Sequence, residues 1–173
     1  MLVEVKVQSL GLDRSSDTPV VILQELGGDR VLPIWIGPSE ASAIAMHLAD
    51  MEFARPLTHD LVVSVLKGLG GTVQKVIITR VEKNTYYAEL ILQRNGEVIS
   101  LDARPSDSIA VALRVDARIF AREDLLQQNS IQMADDESTE SLREEEPSKV
   151  MGPEELKEHL RRLNPEDFGR FTP

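Results

Sequence analysis

Between Asp102 and Asp107 the chain places two carboxylates, the guanidinium of Arg104 and the hydroxyl of Ser106 within six residues. Neighbouring carboxylates can hold a divalent cation or move a proton, and an arginine recognises phosphate through paired hydrogen bonds. The same segment reads as the start of a helix. Pro105 has no N–H to lose there, and Ser106 can accept a bond from an exposed backbone N–H. Asp107 suits the positive end of the helix dipole. A helix N-terminus beside an arginine is itself a phosphate site, so the folding and chemical readings are compatible.

Two other segments share this grammar: Ile36-Gly37-Pro38-Ser39-Glu40 and Arg55-Pro56-Leu57-Thr58-His59-Asp60. Each sets a proline, a hydroxyl and then an acid at a helix entry. The plain account makes Glu40, Asp60 and Asp107 answers to three helix dipoles. In the chemical account the three entries meet at one cleft. Acids there hold Mg²⁺ or Mn²⁺, arginines bind phosphate and His59 shuttles a proton. That set is what phosphodiester hydrolysis needs. His47 lies mid-helix beside Met46 and Leu48 and reads as structural, while His159 carries no assigned role. Trp35 between Ile34 and Ile36 reads as packing, and Tyr86 and Tyr87 must point to opposite faces of a strand.

The elements that carry these residues come in hairpin groups. Residues 2–11, 19–25 and 30–36 read as strands, the last two joined by Gly27-Gly28-Asp29. One helix runs from Gly37 to about Met51, and a second from the Arg55-Pro56 segment to about Leu69, where Gly70-Gly71 ends it. Residues 73–81 and 86–93 form another hairpin, 97–102 a further strand after Asn95-Gly96, and 105–115 the last helix of the body. Hairpins separated by helices predict an α+β fold: a single compact domain with an antiparallel or mixed sheet and helices packed against it.

Charge divides the 173 residues. Residues 1–122 carry a net of −2 and residues 123–173 a net of −8, which make up the chain's −10. The body is expected over 1–130. An acidic disordered linker follows over 131–152, then a short helix and tail over 153–173, where Leu156, Leu160 and Leu163 share a face. With no cysteine, disulfides, thiolate metal sites and thiol nucleophiles are excluded. The N-terminus alternates like a strand rather than a signal peptide, and no apolar run is long enough to span a bilayer. A soluble cytoplasmic protein without a membrane partner is the expectation.

Five ordered motifs extend the pattern. They are Leu32-Pro33-Ile34-Trp35-Ile36-Gly37-Pro38-Ser39-Glu40-Ala41, Arg55-Pro56-Leu57-Thr58-His59-Asp60-Leu61, Leu69-Gly70-Gly71, Thr85-Tyr86-Tyr87-Ala88 and Asp102-Ala103-Arg104-Pro105-Ser106-Asp107-Ser108-Ile109-Ala110. In order and spacing they resemble the bifunctional nuclease domain family, domain of unknown function 151, over roughly residues 1–130. The resemblance implies a compact α+β domain, often a dimer or larger homo-oligomer, that hydrolyses DNA and RNA with little sequence preference. Carried over by position, it implies Asp102 and Asp107 as metal or general-base carboxylates, with Glu40 a further catalytic acid and Asp60 a further metal ligand. His59 becomes the general acid or base. Arg55, Arg104 and Ser106 become the phosphate contacts, and Mg²⁺ or Mn²⁺ the cofactor.

Electrostatics pull the other way. A chain of pI about 4.8 with a near-neutral body has no basic stripe in sequence, so weak nucleic-acid binding is expected unless Arg55, Lys67, Arg104, Arg114 and Arg118 cluster in space. A non-enzymatic oligomeric module that recruits a partner through its C-terminal helix is the alternative. An enzyme acting on a small phosphorylated metabolite is a third reading.

Overall fold

Alternating apolar and polar residues build one mixed sheet, and two-residue turns set the registers of two of its hairpins. The computed structural model describes residues 1–13 and 16–128. The strands are β1 (Leu2–Asp13), β2 (Thr18–Glu25), β3 (Val31–Trp35), β4 (Gly71–Glu82), β5 (Thr85–Arg94), β6 (Glu97–Ala103) and β7 (Arg118–Arg122), in the order β3-β2-β1-β7-β4-β5-β6. Helices α1 (Pro38–Leu48), α2 (Thr58–Gly68) and α3 (Pro105–Arg114) pack against it, and residues 123–128 are also helical. The fold is α+β, as the hairpin grouping predicts. The acidic linker and the C-terminal helix expected from sequence lie outside the described residues.

The β5–β6 turn is Asn95-Gly96, with φ of 51° and 82°, and Lys83-Asn84 turns β4 into β5 with φ of 49° and 61°. Positive φ at both central residues matches the twist of the flanking strands. The first helix stops at Leu48, earlier than its apolar pattern suggests. Asp50 takes a left-handed φ of 51° and the Met51 N–H returns to the Met46 carbonyl at 3.0 Å, which turns the chain away.

β7 is the element the sequence reading did not supply. It runs antiparallel to β1 and parallel to β4, joining the two halves of the sheet. Ile119 and Ala121 are buried while Arg118 and Arg122 are exposed, a period-two signal only five residues long.

Helix α3 lies at the centre of the packing. Seven of its ten residues are buried, and it touches α1, α2, β4, β5 and β7. The helix-bearing face carries Val5, Leu23, Val76, Ile78, Leu90 and Ile119 against Ile44, Val63, Ile109 and Ala112. Ser108, 1% exposed, keeps a hydroxyl without a hydrogen-bond partner among the described residues. Replacing a buried unpaired hydroxyl by a methyl removes a desolvation cost, so Ser108→Ala is expected to raise stability by up to about 1 kcal/mol. A lowered urea midpoint in that variant would show that the hydroxyl has a partner in solution.

Candidate active site

Three chain segments bring their helix entries to one open cleft. β3 leads through Ile36-Gly37 into Pro38, Ser39 and Glu40; the 51–57 loop leads into Thr58 and His59; β6 leads into Arg104 and Asp107. The cleft holds about 890 Å³ and is also lined by Ser42, Ala43, Met46, Phe53, Pro56 and Leu57. Gly37 matters because the Glu40 carboxylate folds back over it, into the space a β-carbon there would need.

The charged side chains form one connected group. His59 Nε2 lies 3.1 Å from Asp107 Oδ1, and Arg104 Nε donates to Asp107 Oδ2 at 2.6 Å. The other end of the guanidinium reaches Glu40 Oε1 at 2.8 Å. Burial pushes the Asp107 carboxyl up, but the hydrogen bonds from Arg104 and His59 outweigh it and hold Asp107 below the usual carboxylate range. The Asp107 bond and charge raise the Arg104 pKa above its already high value.

Asp60 belongs to a second group. One oxygen accepts the Leu57 N–H at 2.8 Å, which caps α2, and the other accepts Arg114 Nε at 2.6 Å. Burial again pushes this carboxyl up, and the bonds from Arg114 and the Leu57 N–H bring it below its ordinary value. Lowered pKa values make stability that is present above the unfolded value and lost as pH falls through the folded one. Below about pH 4 both aspartates therefore withdraw support. Acid unfolding followed by circular dichroism is expected to be shallower in the Asp60→Asn, Asp107→Asn double variant. Equal steepness in the two proteins would mean that the pairs do not persist in solution.

The structure gathers Glu40, His59, Arg104 and Asp107, and sets the other candidates apart. Asp102 is exposed on β6 opposite Glu89, while its neighbour Ala103 pairs with Ala88 of the core face. Asp102 therefore faces away from the helices, as strand alternation requires. Ser106 is buried in the first turn of α3 and makes no cap bond, and Arg55 is exposed outside the cleft lining. The entries of α1 and α3 use Gly37 and Arg104 as caps without side-chain bonds. Arg114, which the sequence grouped with the surface cations, is instead a buried tie between helices. Trp35 is 50% exposed, with its Nε1–H on Asp13, rather than packed. Tyr86 packs on the core and Tyr87 lies under Arg80 on the other face.

A divalent ion does not fit the site as it stands. Both Asp107 oxygens are engaged, by His59 and by Arg104, and a guanidinium occupies the space between Asp107 and Glu40. Among the described residues no three His, Asp or Glu side chains gather as a ligand set. No helix among the described residues is long and apolar enough to cross a membrane.

Residues 21–134 match the sequence profile of the bifunctional nuclease domain. The chain belongs to this family. The matched span contains all four residues of the charged group, whereas β1 precedes it. An uncharacterized protein of Mycobacterium tuberculosis is 42% identical over 168 residues, 95% of this chain and 97% of that one. Bifunctional nuclease 1 of Oryza sativa subsp. japonica is 28% identical over 132 residues, 75% of this chain but 40% of the rice protein. Bifunctional nuclease 2 of Arabidopsis thaliana is 30% identical over 98 residues, 55% of this chain and 30% of the plant protein. The chain thus spans well under half the length of the plant bifunctional nucleases, and almost all of the mycobacterial protein.

Proposed function

We propose that the chain hydrolyses phosphodiester bonds of DNA and RNA with little sequence preference, using His59, Arg104 and Asp107, with Glu40 holding Arg104 until a phosphate takes its place. The observation that carries this reading is the His59–Asp107 contact of 3.1 Å, with Arg104 on the other carboxylate oxygen, all lining one cleft. A histidine oriented by a carboxylate beside a guanidinium is a general acid–base pair next to a phosphate contact. Kinship with plant proteins named bifunctional nucleases supports the same chemistry.

With Nε2–H donated to Asp107, Nδ1 of His59 keeps a lone pair. That nitrogen takes the proton from a water or, in RNA, from the ribose 2′-hydroxyl as its oxygen attacks phosphorus. The bond to the leaving oxygen breaks, and the proton returns to that oxygen. Arg104, whose side chain is 65% exposed, swings from Glu40 to the phosphate and stabilises charge on its oxygens.

Cleavage of end-labelled single-stranded DNA and RNA by wild type and His59→Ala, purified side by side, tests the reading. Arms with Mg²⁺, Mn²⁺ and EDTA show whether substrate phosphate brings an ion with it. Product from wild type alone supports the proposal; equal product from both means a contaminant, and none from either removes it.

One observation favours the alternative of an oligomeric binding module. Leu61, Val65 and Leu69 are 57%, 50% and 58% exposed at four-residue spacing along α2 and its cap. An apolar stripe left in water suits association of copies. Sedimentation at a single mass of 19.3 kDa over a broad concentration range would remove that reading.

A further inference from the structure

The cleft has a charged part and an apolar part. Glu40, linked to Arg104, begins α1, and Met46 lies six residues on, a rise of about 9 Å along the axis. The Met51 N–H bonds the Met46 carbonyl at 3.0 Å, so Phe53, two residues further, enters the cleft near that second end. An aromatic ring and a thioether thus line the same cleft as the His59–Arg104 group. Arg104 is the single Lys or Arg in the lining, and the body around it carries a net of −2. A surface that tracks duplex or long single strands neutralises many phosphates with many cations, and such a track is missing from this lining. Recognition must then come from apolar contact with a base, and a base offers its face only when unstacked.

We propose that the cleft takes one unstacked nucleotide, its base against Met46 and Phe53 and its phosphate against Arg104 and His59. The chain therefore selects single strands, loops and ends over intact duplex. This inference rests on the nuclease reading for its phosphate end, while the base shelf stands on the lining alone.

Fluorescence anisotropy separates the two. The probes are a short phosphorothioate single strand, the same strand as a duplex, and a version with abasic sites, each resisting turnover during measurement. The single strand is expected to bind at least tenfold more tightly than the other two. Phe53→Ala weakens its binding about five- to tenfold, the lower range for losing one base–aromatic stack, and leaves the abasic strand unchanged. Phe53→Leu keeps the apolar bulk and loses the stacking face, so it moves the same way by less, and circular dichroism checks that both variants fold. Equal affinity for single strand and duplex overturns the inference, as does single-strand binding that ignores Phe53 or no binding at all. Phe53-dependent binding without cleavage of any substrate overturns the nuclease reading and keeps the shelf. Cleavage without Phe53 dependence does the reverse.

Discussion

Asp107→Asn is expected to lower kcat for single-strand cleavage by about 10²–10⁴, the usual contribution of a positioned acid–base group. The change is nearly isosteric, so helix α3 keeps its packing. Its loss in stability is confined to the dipole and salt-bridge contributions of a half-exposed first-turn acid, about 1 kcal/mol or less. The chemical loss is larger because two jobs fail together. The carboxylate that accepts from His59 Nε2 at 3.1 Å becomes an amide, which can present a donor there and favour the wrong tautomer. Arg104 loses its 2.6 Å partner and its fixed direction. A kcat effect with little change in KM marks Asp107 as part of the reacting group, since uniform substrate binding is not what was removed. An unchanged kcat in a folded variant would reduce the contact to a helix-end ion pair.

If Arg104 takes a phosphate as proposed, its engaged state is what lets an acidic protein offer one. With Glu40 and Asp107 on either side, the guanidinium is held at the cleft without a surrounding basic patch. A phosphate that displaces Glu40 exchanges one charged partner for another, so net affinity stays small. Glu40→Gln weakens the competitor and is expected to lower KM several-fold. A raised KM would place Glu40 in direct support of the substrate.

Much of this was legible in the residue order, for identifiable reasons. Proline–hydroxyl–acid triplets mark helix starts, and helices packed together on one face of a sheet can bring such starts to one cleft. That is how Glu40, His59 and Asp107 meet from positions far apart in sequence. Asp102 lies apart from the other acids because a period of two puts adjacent strand residues on opposite faces. Its proximity in sequence to Arg104 therefore says nothing about proximity in space. β7 was missed because five residues with two buried positions give almost no periodic signal, and its place between β1 and β4 is set by long-range pairing. The burial of Arg114 leaves no mark in the residue order for a related reason. It sits in the last turn of α3, where a basic residue satisfies the dipole, and nothing local announces burial.

That buried arginine gives the largest expected loss of stability. The Arg114 side chain is 7% exposed, and its guanidinium makes three bonds to three helices. Nε holds Asp60 of α2 at 2.6 Å, and its two terminal nitrogens hold the Ala110 carbonyl of α3 at 2.9 Å and the Ala43 carbonyl of α1 at 3.3 Å. Arg114→Ala leaves Asp60 with only the Leu57 N–H and strips two carbonyls of their donor. Asp60 keeps some access to water, so the cost falls below that of a fully buried broken pair, about 2–3 kcal/mol. Urea unfolding is expected to show a lower midpoint at unchanged slope. Arg114→Lys recovers only part, because an ammonium cannot span the three acceptors as a planar fork does. A double-mutant cycle with Asp60→Ala is expected to return a coupling of about 1–3 kcal/mol. The Asp60 bonds fix the first turn of α2, so the same substitution also frees His59, one residue away, from its place over Asp107. Activity should then fall more than stability under conditions where the variant remains folded. A midpoint within error of wild type would mean that the three helices are held by their apolar contacts alone, and that His59 needs no brace.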